Sequence, residues 1–250
     1  MQTNIRCEKL FYRYEDGTLA VDGVDFDSSK GNIIGIIGAN GSGKSTFFNL
    51  LMGIFKPTSG KILLDGEAIR YNKKFLLEYW QKINLVFQNP DSQIFFSEIY
   101  DDLAFPLRNL GLSEDEIHKK VLEAIKAVNA EDFFEKPIHF LSAGQKKRIS
   151  IAGILAIAPR ILLLDEPTSG LDPFSVQQIQ SILKKLKTKT TIIISSHDMD
   201  LIYELADYVY IFANGKKILE GDTSVFNNIE VIKTAKLMQP YALQFCASGN

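Results

Sequence analysis

The residues Gly38-Ala39-Asn40-Gly41-Ser42-Gly43-Lys44-Ser45-Thr46 stand between the apolar run Ile33–Ile37 and a segment carrying Phe47, Leu50 and Leu51 at helical spacing. They match Gly-x-x-x-x-Gly-Lys-Ser/Thr in the order strand, loop, helix. Glycines let successive backbone N–H groups turn inward with no Cβ in the way, and the helix that follows aims its positive end at the same point. Such a loop cradles a phosphate chain. Lys44 can reach the β- and γ-phosphates and the Ser45 hydroxyl can coordinate Mg2+, so ATP with Mg2+ is the expected ligand.

A loop of this kind presupposes an α/β fold, and the rest of the chain supplies one. Near-continuous apolar runs at Ile33–Ile37, 83–87, Ile161–Asp165 and 191–195 read as parallel strands covered on both faces. Segments 4–14, 61–65 and 208–218 read as antiparallel additions, the last holding an Asn214-Gly215 hairpin signal. Ser113 with Glu116 forms a capping box ahead of Ile117, Val121, Ala124 and Val128. Val176, Ile179, Leu183 and Leu186 form a second stripe, and a third helix runs from about Gln145 to Ala158, before Pro159. Between 89 and 158 the pattern is helical throughout. The expectation is a P-loop NTPase, a mainly parallel sheet core with an antiparallel β subdomain and an inserted α-helical subdomain. The chain, 250 residues long, would form one domain: a core of 1–88 and 159–227, a helical part of 89–158 and a tail of 228–250.

Ile161-Leu162-Leu163-Leu164 runs directly into Asp165 and Glu166. An apolar central strand delivers these acids to the carboxyl edge of the sheet, where open α/β sheets bind ligands. Alone, an acidic pair ending a strand is more often a solvated turn. Beside the phosphate loop, Asp165 becomes a candidate Mg2+ ligand and Glu166 a candidate general base.

A formal charge of −2 and a pI near 6.0 argue against a dedicated nucleic-acid binder. Cys7 and Cys246 lie at opposite ends of the chain, with no spacing for zinc or a redox pair. Arg6, Glu8 and Lys9 leave no apolar signal region near the start, and the longest uncharged apolar stretch, 149–159, is short of the roughly 20 residues a membrane helix needs. Any membrane span would have to come from separate chains.

Leu141-Ser142-Ala143-Gly144-Gln145 opens the third helix as a capping box of Ser142 with Gln145. The segment also resembles the signature of ABC proteins, usually Leu-Ser-Gly-Gly-Gln. Ala143 departs from it: the change is nearly neutral at negative φ and costs about 1 kcal/mol at positive φ. Further ABC elements follow in order. Gln88 resembles the Q-loop glutamine that senses Mg2+ and the γ-phosphate; Ser169-Gly170-Leu171-Asp172 resembles the D-loop; His197 resembles the switch histidine. Tyr14 resembles the aromatic that stacks on adenine, with Tyr12 as its rival. The resemblance implies a head-to-tail dimer in which Ser142, Gly144 and Gln145 meet the nucleotide held by the other subunit.

Gln88-Asn89-Pro90-Asp91-Ser92-Gln93 is similar to the Gln-Asn-Pro-x-x-Gln run of energy-coupling-factor importer ATPases, the cobalt and nickel systems among them. That resemblance implies a second ABC subunit, identical or a paralogue, a transmembrane coupling subunit and a substrate-binding membrane subunit. It also implies a peripheral place on the cytoplasmic face of the membrane and no nucleic acid. Ile94, Phe95 and Phe96 follow directly and could be core or docking surface. Two alternatives stay open. A soluble ABC ATPase acting on DNA or ribosomes would carry a long coiled coil between Lys44 and Leu141, or a second cassette. A subunit that binds without hydrolysing would lack Glu166 or His197.

Overall fold

The computed structural model describes residues 3–246. The chain begins with β1 (Ile5–Arg13), β2 (Leu19–Asp27), β3 (Ile33–Ile37), α1 (Lys44–Leu51), β4 (Ser59–Leu64), β5 (Glu67–Ala68), α2 (Lys73–Lys82) and β6 (Ile83–Val86). Three helices follow with no strand between them: α3 (Ile99–Asn109), α4 (Glu114–Ala127) and α5 (Ala143–Ile157). Then come β7 (Ile161–Asp165), α6 (Pro173–Leu186), β8 (Thr191–Ser196), α7 (Met199–Leu205), β9 (Tyr208–Ala213) and β10 (Lys216–Gly221). Two short helices, α8 (Ile229–Thr234) and α9 (Tyr241–Cys246), close the described chain.

The larger sheet has the order β10-β9-β3-β8-β7-β6, parallel except for β10. A smaller antiparallel sheet has the order β2-β1-β4-β5. Strand alternation divides the core in two, because successive side chains point to opposite faces. Ile33, Ile37, Leu162, Leu164, Ile192 and Ile194 pack with α3 to α7. Ile34, Ile36, Ile161, Leu163 and Ile193 pack with α1, Tyr79 of α2 and the smaller sheet. Each such side chain contributes about 1.5–3 kcal/mol on full burial, and this makes β3, β7 and β8 a firm base for the loops at their carboxyl ends.

The helical part is locally determined. Ser113 and Glu116 exchange both capping-box hydrogen bonds at the start of α4, and its apolar stripe is buried. On α5, the buried Arg148 donates to the Asn129 carbonyl at 2.6 Å and lies 4.7 Å from the centre of the Phe133 ring. Among the described residues no helix is long and apolar enough to cross a membrane.

Several expectations are corrected. Segment 208–218 is not wholly antiparallel: β9 joins the main sheet parallel to β3, with Ile36 opposite Tyr210, and only β10 is reversed. The chain returns through α7 and so re-enters in the same direction, a connection open to parallel strands. The reversal comes at Asn214 (φ 50°) and Gly215 (φ 79°), the two left-handed residues of a tight hairpin turn. Strand β2 has no counterpart in the sequence reading. Its buried residues Val21, Val24 and Phe26 break strict alternation, because the pairing with β1 is irregular there. The strand read at 83–87 ends at Val86.

Candidate active site

The phosphate loop leaves β3 and closes onto α1. Gly43 caps that helix at φ 103°, and a Cβ there would come within 2.4 Å of the Ala20 carbonyl, so conformation and space both require glycine. Lys44 is buried and donates from Nζ to the Gly38 and Ala39 carbonyls at 2.7 and 3.3 Å. Burial pushes its ammonium below the ordinary lysine range, opposed by the charges of Glu166 and Asp165.

Glu166 follows β7 at φ 44°, a left-handed conformation held by hydrogen bonds from Glu166 N to the Ser195 carbonyl and from Ser169 N to the Glu166 carbonyl. Its Oε2 lies 2.9 Å from His197 Nδ1 and accepts from Ser196 Oγ and the His197 amide. Its Oε1 is buried with Lys44 Nζ 3.6 Å away and no hydrogen-bond partner. Ser42 Oγ is orphaned in the same way. Buried polar atoms without partners are uncommon, and these two face a site built for a polar ligand. The carboxylate of Asp165 accepts a hydrogen bond from the Ser195 hydroxyl.

A cavity of about 410 Å³ lies between the switch loop and the tail, while one of about 730 Å³ brings most of the expected site residues together. Tyr14, Asn40, Gly41, Ser42, Gly43, Lys44, Ser45, Thr46, Gln88, Glu166 and His197 line the larger one. Tyr14 donates to or accepts from Thr46 Oγ1 at 2.8 Å. Tyr12 lies outside the cavity lining and stacks on Phe55, with centroids 5.0 Å apart and planes 2° apart. Ser142, Gly144 and Gln145 are not in this cavity; Ser142 is exposed at the start of α5, where the capping box forms. Ala143 occupies the first turn of that helix and is not among the positive-φ residues, so the departure from the signature carries no backbone cost.

Sequence reasoning missed the wall opposite the phosphate loop. Thr18, Leu19 and Ala20, and the hairpin residues Asn214 and Gly215, also line the cavity. Gly215 N donates to the Ser42 carbonyl at 3.0 Å, and Asp22 N donates to the Gly215 carbonyl at 2.8 Å. The Asn-Gly turn was visible in the sequence; its contact with the loop, made through tertiary structure, was not.

Of the residues expected to hold Mg2+, Ser45 and Gln88 line the cavity and Asp165 does not; hydroxyl, amide and carboxylate oxygens are the kind Mg2+ takes together with water and substrate phosphates. The orphaned Glu166 Oε1 and Ser42 Oγ fit the same polar occupant.

The family profile described as "ABC transporter" matches residues 21–169. The energy-coupling factor transporter ATP-binding protein EcfA of Methanocaldococcus jannaschii is 47% identical over 238 residues, covering 94% of this chain and 85% of that protein. EcfA3 of Clostridium perfringens is 42% identical over 239 residues, covering 94% and 84%. Among solved structures, CbiO1 of Clostridium perfringens, described as part of the ABC transporter complex CbiONQ, has a TM-score of 0.85 at 41% identity, covering 97% of this chain and 98% of that one. A dimeric ATP-binding cassette in a post-hydrolysis state with ADP and Pi has a TM-score of 0.79 at 27% identity, covering 88% and 98%. With its phosphate loop, Glu166 and His197 in one cavity, the chain belongs to the ABC transporter family, as an ATP-binding subunit and ATPase.

Proposed function

We propose that this subunit couples ATP binding and hydrolysis to uptake of a metal ion or vitamin through separate membrane subunits, from a peripheral position on the cytoplasmic face of the membrane. Two copies, or one copy and a paralogue, sandwich two ATP molecules. Glu166 is the general base for the attacking water, and His197, paired with it, contacts the γ-phosphate. Lys44 exchanges its loop carbonyls for phosphate oxygens, and Tyr14 stacks on adenine; Tyr12, occupied by Phe55, supports that choice. Ser142, Gly144 and Gln145 act on the nucleotide of the other subunit, a reading supported by their exclusion from their own cavity. Ser45, Gln88 and Asp165 would hold Mg2+, which would supply positive charge against that developing on the phosphates. Residues 89–158 form the helical unit that transmits closure.

The observation that carries the importer reading lies just beyond Gln88. Ile94 packs against the core, but Phe95 is 80% and Phe96 40% exposed, with Phe105 at 46%. Phe96 and Phe105 pack with centroids 5.3 Å apart. The Asp102 carboxylate accepts from the Phe95 and Phe96 amides at 2.8 and 3.2 Å, so the backbone is fixed while the rings face solvent. An ordered, exposed apolar patch supports the reading of this face as a docking surface. Phe96→Glu, and the more exposed Phe95→Glu, are expected to keep the basal ATPase of the isolated chain and to lose both co-purification with membrane subunits and transport. Normal assembly and transport in both variants would remove this surface from docking, and a collapse in thermal stability would return the rings to the core.

A further inference from the structure

Strand β6 ends at Val86, so the carbonyls of Phe87 and Gln88 fall outside its pairing with β7. A single side chain from another element takes up both. Lys147 of α5, 1% exposed, donates from Nζ to the Phe87 carbonyl at 2.9 Å and to the Gln88 carbonyl at 2.6 Å. Two further contacts tie the same loop to the same helix. The Gln93 side chain accepts from the Phe87 amide at 3.1 Å and donates to the Ser150 carbonyl at 2.8 Å. Lys146 Nζ lies 2.8 Å from the Asp91 carboxylate.

A buried ammonium is a costly way to fill space; a methionine would pack the same stem without desolvating a charge. What only the ammonium supplies is a pair of charge-assisted donors on the backbone of a residue in the nucleotide cavity. Helix α5 begins at the Ser142–Gln145 capping box, within two turns of Lys147. We infer that Lys147 is a positioning residue for ATP hydrolysis: it joins the signature helix to the main chain at Gln88, so that Gln88 and the Ser142–Gln145 segment are presented as one rigid unit. This rests on the role proposed above for Gln88.

The test compares Lys147→Met, Lys147→Gln and Gln88→Ala in the full chain. Lys147→Met is expected to melt cooperatively and to bind a fluorescent ATP analogue without Mg2+ within about twofold of the wild type, while kcat falls roughly tenfold or more at nearly constant KM. Amide exchange over residues 87–93 should quicken in the same variant. Lys147→Gln, which keeps a donor on a shorter stem, is expected to recover at least about threefold in kcat over Lys147→Met. Wild-type kcat in Lys147→Met overturns the joint, as does equal impairment of Met and Gln variants. A Met variant that fails to fold makes Lys147 a stability residue and overturns it too. Full activity in Gln88→Ala removes the role of Gln88, and with it the reason for the joint; full activity in Lys147→Met alone removes only the joint.

Discussion

Glu166 sits in a backbone conformation that non-glycine residues enter at a cost of about 1–3 kcal/mol. What that geometry delivers is a carboxylate with one oxygen held by Ser196, His197 Nδ1 and the His197 amide, and the other left facing Lys44. Glu166→Gln keeps the size and removes the basicity. It is expected to retain ATP binding, with turnover reduced by about 10²–10⁴-fold, as measured by nucleotide titration and phosphate release. Near wild-type turnover would take Glu166 out of the base role. The phosphate loop was legible at this scale because its backbone geometry dictates residue types at fixed spacing. Lys147 was not: a lysine on a helix reads as solvated, and its burial depends on carbonyls some sixty positions away.

Among elements, α5 approaches α6 closely at Gly144. A Cβ on Gly144 would lie 2.3 Å from Ser175 Oγ and 2.7 Å from Ser175 Cβ, so glycine is needed here for close approach, with φ playing no part. Ser175 is itself held by a hydrogen bond from its hydroxyl to Asp172, the cap of α6. Gly144→Ala is therefore expected to lower stability by about 1–3 kcal/mol through overpacking. The double variant with Ser175→Gly should melt above Gly144→Ala alone; no recovery in thermal melts would mean that crowding at Ser175 is not the cause. Element type was readable wherever a cap or an unbroken apolar run announced it, as at Ser113, Ser142 and Ile161–Asp165. It failed where pairing decides: the irregular β2, and β9, whose direction is set by its neighbour in the sheet.

For the whole molecule, the central sheet is shared by both cores, and the loops bearing the proposed catalytic residues Gln88, Glu166 and His197 leave from its carboxyl edge, yet the Ser142–Gln145 segment stands apart from the cavity of its own chain. Ser142→Arg should therefore abolish hydrolysis by blocking closure while leaving nucleotide affinity of the monomer unchanged; a large loss of affinity would put Ser142 in its own chain's site. The separation also has a genetic reading. A Ser142→Arg chain still owns a sound Glu166, and a Glu166→Gln chain still owns a sound Ser142. Neither works with itself, but together they form one complete site and one doubly defective site. Equal mixing of the two inactive proteins should restore up to roughly a quarter of the wild-type rate if the chain pairs with copies of itself in symmetric dimers. A chain that pairs only with a paralogue gives no such complementation.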